Sequence, residues 1–394
     1  MIPYARQSID QADIEEVTKV LKSDFLTQGS IVNHFEKEVS KYVGAKFAVA
    51  VNSGTSALHI SCLALGLEKG DFLWTSPISF VASSNCALYC GAHVDFVDID
   101  PNTYNMCTQY LEQKLINAKL NNNLPKILIA VHLAGQSCDM EKIYQLSLQY
   151  GFKIIEDASH AIGSKYKNNY VGCGDYSDIT VFSFHPVKII TTAEGGMIVT
   201  NSKILSDKSR NLSSHGINKN ISLMKNKNHG EWYYEQNDLG FNYRLNEIQA
   251  ALGLSQLKKI DIFIKKRNDI AKFYNNNINN PLITLPWQSL DSYSSFHLYI
   301  IRLKKNKSHV NHKDFFKSLR NNGINVNLHY IPIYKHPYYK KFKFNDTLFP
   351  ETEKYYREAI SIPMYFDLSQ ADQEKVVEVI DKILKIKNSE KLNE

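Results

Sequence analysis

Residues 126–157 read KILIAVHLAGQSCDMEKIYQLSLQYGFKIIED. The stretch begins and ends with short apolar runs, Lys126–Val131 and Phe152–Glu156, which are typical of strands buried on both faces. The residues between them, from about 139 to 150, have the spacing of a helix. Because two parallel strands are usually joined through a helix, the stretch predicts one unit of a parallel sheet covered by helices.

The same alternation extends from about residue 45 to residue 245. Further strand-like runs occur at 46–51, 72–75, 94–97, 179–182 and 197–200, with helical stretches near 57–65, 80–90, 108–120 and 202–212. Two helices, near 10–21 and 30–43, precede this region. The sequence therefore predicts an α/β fold with one large domain around a mainly parallel sheet.

The pattern changes after Leu245. Residues 245–277 contain no proline and keep apolar residues at helical spacing, which predicts one long helix with any bend at Gly253. Strand-like runs at 297–303 and 324–329 and helical stretches at 311–322 and 369–386 follow, before a tail at 387–394 that we expect to fray. We expect two parts: residues 1–250, with the N-terminal helices and the large cofactor-binding domain, and residues 251–394, with the long helix and a small α+β domain.

Composition excludes several classes of protein. The 394 residues are 43% hydrophobic with a net charge of +6, so the chain can bury a sizeable core and is not disordered. No run of five basic residues occurs, which argues against nucleic-acid and membrane partners. The six cysteines form no Cys-x-x-Cys pair, so we expect neither a metal site nor disulfides. Without a signal-like N-terminus or a long apolar stretch, we expect a soluble cytoplasmic protein.

The first candidate site is the turn Asn52-Ser53-Gly54-Thr55-Ser56, between a strand and a helix. Small residues let the backbone approach an anion, and the first N–H groups of the helix are free to bind it. This arrangement suits a phosphate group. Taken alone, however, an ordinary capped turn is the better interpretation.

The second candidate site is Glu156-Asp157-Ala-Ser-His160-Ala-Ile-Gly163. Asp157 ends a buried strand, where its carboxylate could pair with a cationic heteroatom, and His160 could reach a neighbouring oxygen. A helix cap for Asp157 and a core histidine for His160 are equally good interpretations of this segment alone.

The third candidate site is Ser183-Phe-His185-Pro-Val-Lys188, followed by Thr-Thr-Ala-Glu194-Gly-Gly. A single lysine is usually a solvated surface charge, but this one lies between hydroxyl residues, a proline and two glycines. A lysine that acts as a nucleophile must be desolvated enough to lose its proton near neutral pH. In open α/β sheets, ligands bind outside the carboxyl ends of the strands, where all three segments fall.

The three segments together match what pyridoxal phosphate requires. The lysine would form the covalent link to the cofactor, the strand-end aspartate would hold the ring nitrogen protonated, and the turn would bind the phosphate. At ~4 Å and an effective dielectric near 20, such an aspartate–pyridinium pair is worth about 4 kcal/mol, which keeps the ring an electron acceptor at neutral pH.

These motifs resemble the DegT-type sugar-nucleotide aminotransferases, which share the aspartate-aminotransferase fold, pyridoxal-phosphate fold type I. Within that family, the segments LTQG (26–29), TSPISFVA (75–82), LGFNYRL (239–245) and VNLHYIPIY (326–334) are most similar to the 4-aminotransferases of pseudaminic acid synthesis. The resemblance implies a homodimer with shared active sites.

The resemblance also implies a role for individual residues. It assigns the covalent link and proton transfer to Lys188, stacking on the cofactor ring to Phe80, the ring nitrogen to Asp157 and the phenolic oxygen to His160. It implies that Gly54, Thr55 and Ser183 bind the cofactor phosphate, together with Asn242 from the neighbouring subunit. The implied substrate-binding residues are Tyr4, Asp24, Phe25, Leu26, Thr27, His185, His329 and Tyr330.

The implied reaction transfers an amino group, with glutamate as donor, to C4 of a UDP-4-keto-6-deoxy-N-acetylhexosamine of L-arabino configuration. The product would be UDP-4-amino-4,6-dideoxy-N-acetyl-β-L-altrosamine. One alternative is another sugar-nucleotide 4-aminotransferase that takes the D-xylo ketosugar. A second is a sugar dehydratase of the same fold, which we disfavour because such relatives replace the lysine by histidine, whereas Lys188 is present. A non-catalytic protein that binds the cofactor is disfavoured because Lys188 and Asp157 are both present.

Overall fold

The computed structural model describes residues 1–218, 224, 230–304, 308 and 310–385. The tail at 387–394, for which the sequence predicts fraying, lies outside the described residues. None of the helices in the described ranges combines the length and the hydropathy that crossing a bilayer requires.

Helices account for much of the described chain. They are α1 (Gln11–Leu21), α2 (Ile31–Val43), α3 (Gly54–Ala64), α4 (Ala82–Tyr89), α5 (Thr108–Leu120), α6 (Met140–Tyr150), α7 (Lys203–Ser213), α8 (Glu247–Leu257), α9 (Ile260–Asn277), α10 (His312–Asn321), α11 (Pro350–Glu358) and α12 (Gln370–Leu384).

The strands form one large sheet and several small ones. They are β1 (Phe47–Val51), β2 (Phe72–Thr75), β3 (His93–Phe96), β4 (Ile127–Val131), β5 (Lys153–Asp157), β6 (Lys165–Tyr166), β7 (Asn169–Tyr170), β8 (Ile179–Ser183), β9 (Gly196–Thr200), β10 (Ile217–Asn218), β11 (Glu235–Gln236), β12 (Ile283–Thr284), β13 (Ser292–Tyr293), β14 (Tyr299–Leu303) and β15 (Ala359–Ile362).

The large sheet has seven strands in the order β1-β9-β8-β5-β4-β2-β3. The pairs from β8 through β5, β4 and β2 to β3 are parallel, whereas β9 runs antiparallel to both of its neighbours. This confirms the mainly parallel sheet. The prediction succeeds because strands such as β4 are buried along their whole length, which requires a continuous apolar run.

The start of α1 and the end of α2 lie where the sequence predicts them. Asp10 caps α1, since its side chain accepts from the Asp13 N–H at 3.1 Å while the Asp13 carboxylate accepts from the Asp10 N–H. Gly44 closes α2 in the left-handed conformation, with φ of 81°.

A smaller sheet, β12-β14-β15, forms after α9 and is antiparallel throughout. The predicted strand at 324–329 is wrong. Ile324 makes a single bridge to Ile2, and Asn327 makes one to Ser361. The strand that pairs with β14 is β15, at Ala359–Ile362, which the sequence analysis did not identify.

The predicted long helix at 245–277 is also wrong in one respect, since it is two helices, α8 and α9, separated at Lys258-Lys259. Gly253 lies inside α8, and the two helices separate after it. A Cβ there would come within 2.6 Å of the Phe35 ring, so the glycine instead allows α8 to pack closely against α2. The predicted division at residue 250 falls inside α8 and stays a prediction.

Candidate active site

Three strands of the large sheet end at the same edge. Val51 of β1, Asp157 of β5 and Ser183 of β8 are terminal residues of strands that all run in one direction. The antiparallel strand β9 begins at this edge, where Gly196 pairs with both Val51 and Ser183. The three candidate segments of the sequence therefore meet at one place.

The turn after β1 forms a concave cup at the start of α3. Ser53 caps the helix, since its Oγ accepts from the Ser56 N–H at 3.1 Å. As first residues of the helix, Gly54 and Thr55 have N–H groups without intrahelical acceptors. A Cβ on Gly54 would lie 3.0 Å from the Ser183 Cβ, so the glycine keeps this cup open. The geometry suits a phosphate group held by the N–H groups of Gly54 and Thr55 and the hydroxyl of Ser183.

Asp157 is buried and held in a fixed orientation. Its Oδ2 accepts from the Ser83 Oγ at 2.6 Å, and its Oδ1 accepts from the Oγ and N–H of Ser159 at 2.6 and 3.2 Å. Only 5% of its surface is exposed. Its donors are two hydroxyls and one N–H, and no cationic side chain within the described residues is bonded to it.

Lys188 lies in the loop between β8 and β9. Backbone hydrogen bonds from Phe184 to Gly195 and from Thr192 to Phe184, at 2.9 and 3.0 Å, close this loop, and the Lys188 N–H donates to the His185 carbonyl at 2.9 Å. The residue is partly buried. Burial lowers the pKa of Lys188 to about 8, although the negative charge of Asp157 acts in the opposite direction. The loop thus holds a lysine that loses its proton near neutral pH.

His160 lies above this edge, in contact with the small α+β part of the chain. Its Nδ1 accepts from the Ala134 N–H at 3.2 Å, and its Nε2 lies 3.1 Å from the Tyr330 Oη. Burial, and then the charge of Lys188, lower the pKa of His160 well below its usual value. His160 is therefore a neutral imidazole.

The aromatic residues of the candidate substrate shell lie beside His160. The Tyr4 ring packs on His329 at 5.5 Å between centroids, and Phe80 lies 6.3 Å from Tyr330. Phe80 is 58% exposed, which leaves its ring free to cover a ligand. Burial lowers the pKa of His329 to about 3, with Lys188 contributing in the same direction. Thus Tyr4, His329 and Tyr330 form one group of rings beside His160, and we call the region between this group and Lys188 the cleft.

Other predicted residues are not brought to this cleft within one chain. Asp24 and Phe25 line a separate cavity of about 440 Å³ between α1, α2 and α8. Leu26 is tied to the start of α8 through its carbonyl, which accepts from the Glu247 N–H at 3.0 Å, and Thr27 is exposed. The Asn242 carbonyl lies 3.5 Å from the Asn52 Nδ2, and its side chain is exposed.

His185 lies in the loop that leads to Lys188, and it is exposed. Partial burial lowers the pKa of His185. The negative charge of Glu194 opposes this, and the positive charge of Lys188 lowers the pKa further.

Two residues at the site were not identified from the sequence. Ser83 holds Asp157, and its Oγ also lies 2.7 Å from the Ser79 Oγ. His297 packs against His160 with 4.3 Å between ring centroids. Ser83 follows directly on the TSPISFVA segment, so extending that motif by one residue would have included it. His297 stands at the start of a predicted strand, and nothing in the local pattern marks it.

The residues present fit pyridoxal phosphate. The cup that Gly54 leaves open suits the phosphate, the anionic Asp157 suits a protonated ring nitrogen, and the lowered pKa of Lys188 suits attack on a carbonyl group.

Comparisons with known proteins agree with this chemistry. The family model for the DegT/DnrJ/EryC1/StrS aminotransferase family matches residues 7–381. The chain is 39% identical over 385 residues, 98% of each chain, to the UDP-4-amino-4,6-dideoxy-N-acetyl-beta-L-altrosamine transaminase of Campylobacter jejuni. It is 37% identical over 387 residues, 98% of this chain and 97% of the relative, to the spore coat polysaccharide biosynthesis protein SpsC of Bacillus subtilis.

Solved structures give the same result. PseC of Helicobacter pylori, an aminotransferase involved in the biosynthesis of pseudoaminic acid, superposes with a TM-score of 0.88 at 34% identity, covering 97% of this chain and 99% of that chain. A sugar aminotransferase of Streptococcus pneumoniae in its PLP form superposes with a TM-score of 0.86 at 27% identity, with the same coverage. These likenesses confirm the predicted fold of the aspartate-aminotransferase type. The chain therefore belongs to the DegT/DnrJ/EryC1/StrS aminotransferase family, whose cofactor is pyridoxal phosphate, and the protein is an aminotransferase.

Proposed function

We propose that the protein transfers an amino group from L-glutamate to C4 of a UDP-4-keto-6-deoxy-N-acetylhexosamine of L-arabino configuration. The product is UDP-4-amino-4,6-dideoxy-N-acetyl-β-L-altrosamine, on the route to pseudaminic acid. The observation that carries the proposal is the partly buried Lys188, with its lowered pKa, at the strand edge that also holds Asp157 and the Gly54 cup. The altrosamine transaminase at 39% identity supports the choice of sugar.

In this proposal the cofactor is held by groups from the three strand ends. Gly54, Thr55 and Ser183 would bind its phosphate, Phe80 would cover its ring, and Asp157 would pair with the ring nitrogen. His160, with its proton on Nε2, would donate to the phenolic oxygen. When bound, pyridoxal phosphate supplies an electron-accepting ring and carries the amino group from one substrate to the other.

Lys188 has two tasks in this proposal, a covalent link to the cofactor and proton transfer. With a pKa of about 8, its Nζ is neutral in about a tenth of molecules at pH 7, so it accepts and returns protons without a large penalty. The Asp157 carboxylate would pair with the ring nitrogen of the cofactor. Ser83 and Ser159 keep the Asp157 carboxylate in place, so that this charge acts in one direction.

The ketosugar would bind in the cleft lined by Tyr4, His329 and Tyr330, with His185 at its exposed side. Its two C4 configurations have the same charge and nearly the same volume, so hydrogen bonds discriminate between them rather than size. The test compares kcat/KM for the UDP-linked L-arabino and D-xylo ketosugars with glutamate as donor. Preference for the L-arabino compound supports the assignment. Preference for the D-xylo compound would overturn the pathway and leave the aminotransferase reaction standing.

We also propose a homodimer with shared active sites. Asp24 and Phe25 line a separate cavity of their own chain, and the exposed side chain of Asn242, whose carbonyl contacts Asn52, would bind the cofactor of a second copy. Mixing inactive Lys188→Ala chains with inactive Asn242→Ala chains should restore part of the activity, because a mixed dimer contains one intact site. Absence of recovery after verified subunit exchange would contradict shared sites.

The protein would act where its nucleotide-sugar substrate is made, in the cytoplasm, and neither nucleic acid nor a membrane is required. The dehydratase alternative is disfavoured because it requires a histidine in place of Lys188.

A further inference from the structure

Two histidines from distant parts of the chain are in contact at the cleft. The His297 ring lies 4.3 Å from the His160 ring, at an interplanar angle of 43°. His297 is 2% exposed, and its Nδ1 has no hydrogen-bond partner among the described residues. A buried imidazole nitrogen without a partner costs stability, so such a residue calls for an explanation in the chemistry of the site.

The main chain of His297 is anchored from the opposite side. Arg267 of α9 is 2% exposed, and its Nη1 donates to the carbonyls of Phe296, His297 and Met364 at 3.2, 3.3 and 3.1 Å. The position of the His297 ring is thus fixed through its backbone. His160 is held at both ring nitrogens, by the Ala134 N–H that donates to Nδ1 and by the Tyr330 hydroxyl 3.1 Å from Nε2, and His297 packs against its ring.

We propose that His297 is a positioning residue for the reaction: its ring packs against His160 and holds the His160 Nε2–H directed into the cleft. The acceptor at Nδ1 places the proton of neutral His160 on Nε2, which lies 3.1 Å from the Tyr330 Oη. The Tyr330 phenol stays protonated, because burial raises its pKa. The inference rests on the proposed role of His160 as a donor to the cofactor's phenolic oxygen.

The groups that face the two rings favour neutral forms. His160 faces Lys188 from the loop after β8 and His329 from the segment before α11, and both add to the effect of burial on its pKa. His297 faces His160, Lys188, Arg267 and His329, which lower its pKa in addition to burial. Protonation of either ring would place a cation against the other. The Ala134 N–H sets the tautomer of His160, and the packed His297 ring keeps the His160 ring in the position where this hydrogen bond and the one with Tyr330 form.

The test uses three variants of the full chain. His297→Phe keeps an aromatic ring against His160, His297→Gln keeps a side chain of similar length without a ring, and His297→Ala leaves a gap. Each is studied without cofactor by NMR with isotope-labelled histidine, and the His160 signals are assigned by their loss in His160→Asn. The tautomer and the titration of His160 are recorded from pH 5 to 8.

For the wild type and for His297→Phe we expect the Nε2–H tautomer and no His160 titration in this range. For His297→Gln and His297→Ala we expect mixed tautomers and a His160 pKa at least one unit higher. With cofactor bound, the absorption maximum of His297→Gln should shift with pH over the same interval, and that of His297→Phe should not.

Identical His160 behaviour in all variants that fold would overturn the proposal, as would equal disturbance by the Phe and Gln variants. If only one of the Gln and Ala variants folds, that variant is compared with His297→Phe. The NMR readout needs neither substrate nor turnover. It therefore separates failure of this inference from failure of the proposed reaction.

Discussion

Glu156 and Asp157 are neighbours on β5 and both are 5% exposed, yet their hydrogen-bond partners differ. The Glu156 carboxylate accepts from His132 at 2.8 Å and from Ser177 and Thr180 at 2.5 and 3.0 Å. His132 is fixed in turn, since its Nδ1 accepts from the Cys138 N–H at 3.1 Å. Although burial opposes it, the hydrogen bond from His132 lowers the pKa of Glu156.

Asp157 points to the opposite face of the sheet, because successive side chains of a strand alternate. Its donors are the hydroxyls of Ser83 and Ser159 and one N–H, and the basic group that acts on it electrostatically is Lys188. Glu156 belongs to a closed network that the protein completes by itself. Asp157 is oriented by neutral donors and has no cationic hydrogen-bond partner among the described residues. The comparison predicts that Glu156 serves stability and Asp157 serves the reaction.

The largest expected effect comes from Lys188, which faces Asp157 but not Glu156. Lys188→Ala should lower the rate of amino transfer by at least about 10⁴-fold, because the covalent link and proton transfer are lost together. Lys188→Arg should be equally inactive, since a guanidinium keeps its proton at neutral pH. The measurement is the initial rate with glutamate and ketosugar, with unchanged thermal unfolding as the control. A loss of less than tenfold would contradict the role of Lys188.

Asp157→Asn should come next. An amide cannot offset positive charge on the ring nitrogen, so the loss should approach the roughly 4 kcal/mol of such a pair, a hundredfold to a thousandfold in kcat. The substitution keeps the shape; its oxygen still accepts from Ser159 and its NH2 group donates to the Ser83 hydroxyl, so cofactor binding should weaken less than the rate. Turnover within a factor of about two of wild type would show that Asp157 is structural only.

Glu156→Gln is the matched variant on the other face of β5. It replaces the charged acceptor of His132, Ser177 and Thr180 by a neutral amide with one acceptor oxygen, which should cost about 2 kcal/mol of the free energy of unfolding. The rate per folded molecule should stay within about threefold of wild type, which is under 1 kcal/mol in barrier. Thermal unfolding and kcat, measured on the same preparations, separate the two effects. A large fall in kcat with unchanged unfolding would reverse the comparison.

The smallest effect concerns pH. Burial lowers the pKa of His329 to about 3, so on acidification the unfolded chain binds a proton that the folded chain does not. This residue alone should therefore cost about 2 kcal/mol of stability between pH 7 and pH 5. Between pH 7 and pH 5, the unfolding midpoint should fall less in His329→Asn than in the wild type. In His93→Asn, at an exposed position, it should fall as much as in the wild type. Equal slopes in both variants and the wild type would contradict this account.

The sequence predicts the fold well where structure is set locally. Each strand of the large sheet is a short apolar run between turns, and Gly44 ends α2 where a left-handed residue is needed. The break at Lys258-Lys259 is not visible, because helical periodicity continues across it. The 324–329 run has the composition of a strand, but β14 pairs with β15 instead, a choice made by tertiary packing.

The site divides in the same way. Asp157 and Lys188 can be found because each follows a strand at the ligand-binding edge of the sheet. Ser83 lies 74 residues from the Asp157 that it holds, and no local spacing reveals such a contact. His297 reaches His160 only through the packing of β14 and α9 against the large domain. Contacts between residues that are far apart in the chain are thus the part of the site that local sequence patterns do not predict.

The most direct test of the account is to identify the lysine that carries the cofactor. The purified holoenzyme is reduced with borohydride, which fixes the cofactor to the residue it is linked to, and is then digested for peptide mapping by mass spectrometry. We predict one modified residue, Lys188, in the peptide that spans Ser183 to Gly196. A cofactor label on any other lysine would contradict the assignment of Lys188 and, with it, the division of roles between the two faces of β5.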